Sequence, residues 1–128
     1  MVADLFHYGH VEFLKKASAF GDHLLVGVCS DKAVQANKRN PIFTMEERVA
    51  SVAGCRYVDE VVPDAPWIMD AAWIEKHQID LVVHGDDYSQ EQIEHIYNVP
   101  ISMGIFRTVP YTPSISTTEI IRRCKEAE

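Results

Sequence analysis

Leu24-Leu25-Val26-Gly27-Val28-Cys29 is an unbroken apolar run with one glycine inside it. A strand with one wet face alternates apolar and polar side chains. A strand covered on both faces does not, and parallel sheets are covered on both faces. Asp80-Leu81-Val82-Val83-His84 has the same character. Around these runs the apolar period lengthens. Val11, Leu14 and Ala17 recur at three-residue steps with Lys15 and Lys16 opposite, which predicts a helix over 10–19 stopped by Gly21. Thr44 followed by Glu47 is a capping box that opens a helix to Ala53, and Ser116 with Glu119 repeats the device for a helix ending near Lys125. Shorter helices are expected over 31–37, over 70–77 behind an Asp70 cap, and over 90–97. Further strands are expected over 57–62, closed by Pro63, and over 105–109.

Strands alternating with helices imply right-handed crossovers and an α/β fold, a Rossmann-like parallel sheet flanked by helices on both faces. The 128 residues suffice for one domain with its own core, and no linker, repeat or low-complexity segment divides 1–128. In such folds ligands sit beyond the carboxyl ends of the strands. Ser30, His84, Gly85, Asp86 and the loop from Thr112 to Ser116 all fall there.

Composition narrows the function. A net charge of −7 disfavours binding to nucleic acid or to an anionic membrane, though it leaves room for a local cationic pocket. Cys29, Cys55 and Cys124 match neither a metal spacing nor a secreted disulfide framework, which suits reduced thiols and a cytoplasmic setting. No apolar run approaches the length of a membrane span.

The chemistry concentrates in Asp4-Leu5-Phe6-His7-Tyr8-Gly9-His10. Gly9 lets backbone approach a polyphosphate, His7 and His10 can donate to its oxygens, and the helix that follows presents free N–H groups to the same anion. Ser116 and Thr117 open another helix and could serve an anion similarly, or simply cap it. Lys38, in the basic loop Lys38-Arg39-Asn40-Pro41, and Arg48 are candidate cations. Asp86 could accept from a base amine or a ribose hydroxyl, or merely serve its turn. Trp67 and Tyr88 could hold an ammonium on their faces. No set of side chains has metal-ligand spacing.

This run resembles the signature of the HxGH nucleotidyltransferases. Within them the chain is similar to the cytidylyltransferases acting on phosphoethanolamine, phosphocholine or glycerol phosphate. The resemblance extends through Gly21-Asp22-His23-Leu24, Thr44-Met45-Glu46-Glu47-Arg48 and Arg56-Tyr57-Val58-Asp59-Glu60-Val61-Val62. It continues through Asp64-Ala65-Pro66-Trp67, His84-Gly85-Asp86-Asp87 and Ile115-Ser116-Thr117-Thr118. It implies transfer of CMP from CTP to a phosphoalcohol with release of pyrophosphate, Mg²⁺ carried by the nucleotide phosphates, and a homodimer paired near the first helices. In those terms His7, His10, Lys38 and Arg48 are catalytic. Asp4, Phe6, Gly9, His84, Gly85, Asp86, Ser116 and Thr117 bind nucleotide, and Trp67 and Tyr88 face the acceptor. Two other readings stay open: an ATP-dependent adenylyltransferase with the same loop, or a truncated, non-catalytic nucleotide-binding fragment.

Two departures matter. Where the family has Arg-Thr-x-Gly-Ile-Ser, this chain has Tyr111-Thr112-Pro113-Ser114-Ile115-Ser116, so a tyrosine replaces a cation and a serine replaces a glycine. The family also places a central strand ending in Gly-x-Phe-Asp before the first histidine, whereas only Met1-Val2-Ala3 stand before Asp4. Without that strand a slot should open between LLVGVC and DLVVH. The expectation is either a natural start further upstream or a less stable, poorly active protein.

Overall fold

The structure is a computed structural model in which residues 1–127 are described; Glu128, the last residue of the expected domain, lies outside the described residues. Helix α1 (Tyr8–Ser18) leads to strand β1 (Leu25–Cys29), followed by α2 (Asp31–Asn37) and α3 (Met45–Ala53). Strand β2 (Glu60–Ala65), α4 (Ala71–Lys76), β3 (Val82–Gly85), α5 (Gln90–Ser102), β4 (Phe106–Val109) and α6 (Thr117–Glu126) complete the order. Parallel strands flanked by helices make this an α/β fold.

The caps explain several boundaries. Thr44 and Glu47 exchange both bonds of a capping box at the head of α3, and Asp70 accepts from the Trp73 N–H at the head of α4. Ser116 caps α6, but the expected reciprocal bond is absent. Glu119 turns instead to Arg122 and Arg123, and the hydrogen bonds from Arg122 help hold its carboxyl down at about 2. Three expectations shift. Strand β2 begins later than expected and runs through Pro63, because it is an edge strand. There a proline turned away from the ladder forfeits no hydrogen bond. Helix α5 continues past Tyr97 to Ser102: a kink at Tyr97 (φ −116°, ψ 23°) restarts the helix, and Pro100 then falls in a first turn that needs no N–H. Helix α1 starts at Tyr8 rather than at residue 10, because His7 caps it.

The strands pair as β1–β2 and β3–β4, both parallel, and among the described residues the two pairs do not join. A cavity of about 950 Å³ runs from the crevice at the strand ends down between β1 and β3. Met1 lies along the β1 side of it: its nitrogen donates to the Gly27 carbonyl at 2.5 Å, and the Cys29 N–H donates to the Met1 carbonyl at 2.9 Å. The best-packed core lies to one side, where Leu14 of α1, Val26 and Val28 of β1 and Val52 of α3 are buried with Ala3 and Cys55.

Candidate functional site

His7 and His10 form the head of α1 and cap each other. The Gly9 N–H donates to His7 Nδ1 at 3.0 Å, and the His7 N–H donates to His10 Nδ1 at 3.0 Å. A backbone N–H can only donate, so each Nδ1 must carry a lone pair. Both neutral rings are therefore fixed with their proton on Nε2. The ring centroids lie 4.0 Å apart, and Phe6 stacks on His10 from behind at 5.2 Å. Burial lowers the pKa of His7. Burial and the neighbouring His7 push that of His10 down to about 3. Near neutral pH the loop thus offers two uncharged N–H donors rather than two acids. A Cβ at Gly9 would stand 2.8 Å from the His7 ring and 3.1 Å from Ile115, so this glycine keeps room for the ring.

The depressed His10 pKa couples to folding. The unfolded ring protonates near 6.5 and the folded one near 3, so acid favours the unfolded chain between these values. Stability is expected to fall as pH drops from about 6.5 toward 3, and a His10→Gln variant should show a shallower loss over that window. Urea midpoints measured at several pH values check this.

Asp4, an expected nucleotide contact, lines the crevice, but its carboxylate is engaged by the protein's own backbone. It is buried, and its carboxylate accepts from the N–H groups of Leu5, Ile42 and Phe43 at 2.9–3.1 Å, with Arg39 at 3.7 Å. Those bonds fasten the basic loop to the histidine loop. On either side Ala3 and Leu5 have φ of 59° and 48°, a left-handed backbone that the bonded carboxylate helps to impose. The Thr117 hydroxyl donates to the Asp4 carbonyl at 2.9 Å, and the Ser116 hydroxyl accepts from the Glu119 N–H. With both hydroxyls engaged, α6 presents its first N–H groups at the crevice wall.

The same crevice is lined by Trp67, Tyr88 and Tyr97. The Lys38 ammonium lies 5.1 Å from the Tyr88 ring and 5.8 Å from the Trp67 ring. His84, at the end of β3, packs on Tyr88 and Tyr97. Its Nδ1 donates to the Gly85 carbonyl at 2.8 Å, which leaves a lone pair on Nε2, and burial lowers its pKa. Asp86 does not line this crevice: its carboxylate accepts from the Tyr111 N–H at 2.8 Å. Asp87 lines it instead, as do Arg39 and Tyr111. These three escaped the sequence reading as site residues. The basic run signals Arg39, and the doubled aspartate signals Asp87 only as one of two choices.

Arg48 is a second departure. It is fully buried and does not line the crevice. Its guanidinium donates to the carbonyls of Val2 and Cys29, each at 2.9 Å, and to Asp31 at 2.5 Å. It ties the chain just before the histidine loop to the end of β1.

Tyr111, standing where the family has arginine, donates its hydroxyl to the Ile115 carbonyl at 3.1 Å. Ser114 adopts φ 68°, a conformation that costs any side chain about 1 kcal/mol relative to glycine. Ser114→Gly is expected to raise stability modestly, readable as a Tm gain of a few degrees.

The arrangement can bind a polyphosphate at paired imidazole donors and a cation at two aromatic rings of the same crevice. Residues 2–123 match the family model described as cytidylyltransferase-like. The chain belongs to the cytidylyltransferase-like family. Among its cytidylyltransferase relatives, an ethanolamine-phosphate cytidylyltransferase of Arabidopsis thaliana is 47% identical over 127 residues, covering 94% of this chain and 30% of that protein. A choline-phosphate cytidylyltransferase 2 of the same plant is 37% identical, covering 95% of this chain and 42% of its own. The chain thus spans roughly a third of the length of such curated relatives. A lipopolysaccharide core biosynthesis protein of Thermoplasma volcanium GSS1 shares the fold, with a TM-score of 0.67 at 24% identity over 88% of this chain and 91% of that one. Among the described residues no helix is long and apolar enough to cross a membrane.

Proposed function

We propose that this domain transfers CMP from CTP to a phosphoalcohol that carries an ammonium, with phosphoethanolamine the acceptor of choice. The observation that carries the proposal is one crevice lined both by paired Nε2–H imidazoles and by Lys38 within 6 Å of the Trp67 and Tyr88 rings. The ethanolamine-phosphate relative supports that choice of acceptor.

In this scheme an oxygen of the acceptor phosphate bonds to the α-phosphorus of CTP. The bond from that phosphorus to the bridging oxygen breaks, and pyrophosphate leaves with the electron pair. The acceptor phosphate, with a second pKa of about 6, is already mostly dianionic, so no general base is required. The demand is in-line alignment and neutralisation of two repelling anions. His7 and His10 donate Nε2–H bonds to phosphate oxygens, most strongly as charge builds in the transition state. The first N–H groups of α6 and the Arg39 guanidinium add positive potential. The substrate ammonium takes the aromatic faces that Lys38 now occupies, freeing that side chain to turn to the phosphates. Among the described residues no three His, Cys, Asp or Glu side chains converge to hold a metal. A Mg²⁺ accompanying CTP would be held by its phosphate oxygens, where it offsets their charge.

A homodimer is part of this reading. Tyr8 at the head of α1 and Phe20 just past its end are both exposed and support it, and sedimentation at micromolar concentration tests it. Cysteines 29, 55 and 124 are all free, which fits a reducing cytoplasm.

A pyrophosphate-release assay tests the whole proposal. CTP with phosphoethanolamine should give the fastest release, ahead of phosphocholine and glycerol phosphate, and ATP should give none. Release with ATP but not CTP, or with no acceptor at all, would overturn it.

A further inference from the structure

We propose that Lys38 is a resident stand-in for the acceptor's ammonium. It covers the Trp67 and Tyr88 rings until a cationic headgroup displaces it, and that displacement commits its charge to the phosphates. The inference rests on the acceptor assignment proposed above and deepens it, from which group binds to how its binding is sensed.

The placement of the lysine carries the inference. Its ammonium lies 5.1 Å from the Tyr88 ring and 5.8 Å from the Trp67 ring, inside the ~6 Å reach of a cation on an aromatic face. Both rings line the crevice, and their faces are what would take a substrate ammonium. Two like charges on the same faces repel, so one leaves as the other arrives.

The hold on Lys38 is one that can be released. The adjacent Arg39 has the Asp4 carboxylate at 3.7 Å. Among the described residues the Lys38 ammonium makes no ion pair and no hydrogen bond, although Asp87 lines the same crevice. Its root, by contrast, is fixed. Lys38 closes α2 with a non-helical backbone (φ −136°, ψ −119°), and its N–H donates to the Val34 carbonyl at 2.8 Å. A flexible four-carbon stem therefore swings about an anchored Cα. Its electrostatic reach spans the crevice: burial comes first in lowering the pKa of His10 and of His84, and the Lys38 charge adds to it at both rings. With CTP bound, the lysine divides its time between rings and phosphates. A cationic headgroup closes the first choice, whereas glycerol phosphate has no cation with which to close it. By reciprocity, CTP and the headgroup each favour the other's binding.

¹H–¹³C NMR of the Lys38 ε-methylene reads the displacement, because ring currents shift protons held over an aromatic face. Ethanolamine hydrochloride, with neither phosphate nor CTP present, should move that resonance to the ordinary lysine position, and sodium chloride at equal ionic strength should not. Lys38→Met should bind ethanolammonium about tenfold more tightly by calorimetry, the factor expected if the lysine covers the rings in about nine molecules of ten. A resonance already at the ordinary position, or one that ethanolammonium leaves in place, would overturn the proposal, as would equal affinity in the two chains. Neither readout needs turnover. Displacement without pyrophosphate release from any acceptor would strike the transferase reading alone, and release from phosphoethanolamine with an unmoved resonance would strike the switch alone.

Discussion

Replacing His10 with glutamine is expected to lower turnover about 10²–10³-fold while leaving the fold intact, the scale for losing one preorganised transition-state donor. Glutamine is the informative substitution because of where His10 stands. It is the third residue of α1, and its Nδ1 accepts from the His7 N–H, a task glutamine performs in ordinary capping boxes. The variant thus keeps the cap and loses the fixed Nε2–H. If the donor acts mainly on the transition state, kcat and kcat/KM should fall together with little change in KM for CTP. A large rise in KM at unchanged kcat would place His10 in ground-state binding. Wild-type turnover would remove it from the chemistry.

Arg48→Met is the second large effect, and it falls on stability. Arg48 is wholly buried, and its guanidinium satisfies the Val2 and Cys29 carbonyls besides pairing with Asp31. Methionine fills much of the same space but leaves both carbonyls without that donor, at a cost of roughly 1–3 kcal/mol each. Asp31 is half exposed and recovers water, so its loss adds little. The expected total is about 3 kcal/mol, a large share of the ~5–15 kcal/mol that holds a domain together. Urea unfolding measures it. Arg48→Lys should recover only part, because one ammonium cannot reproduce the planar fork that spans three acceptors. If Arg48→Met unfolded like the parent and instead weakened CTP binding, the residue would be a phosphate ligand after all.

Much of this molecule was legible in order along the chain. Unbroken apolar runs announce β1 and β3, capping residues place α3, α4 and α6, and the spacing of His7, Gly9 and His10 marks the loop that heads α1 at the candidate site. What spacing cannot convey is which distant groups a side chain meets. Asp4 and Arg48 stand in the motifs, yet they serve as ties whose partners lie about forty residues away, Ile42 and Phe43 for one and Val2 for the other. Asp86 and Asp87 are adjacent in a turn, and only the Tyr111 amide decides which one faces the crevice. Pro63 reads as the close of a strand, but an edge strand accommodates it, and helix α5 outruns the expected 90–97 because it restarts after Tyr97. The histidine tautomers rest on hydrogen bonds only about three residues long. They follow from the loop's local geometry once its backbone conformation is known.

The central claim is that two neutral imidazoles, each with its proton fixed on Nε2, hold the CTP phosphates. Long-range ¹H–¹⁵N NMR of the His7 and His10 rings near neutral pH, with and without CTP, reads this directly. Both rings should show a protonated Nε2 and a bare Nδ1 before the nucleotide is added, and both Nε2 resonances should move on titration with CTP. Charged rings, protons on Nδ1, or Nε2 resonances indifferent to CTP would contradict it.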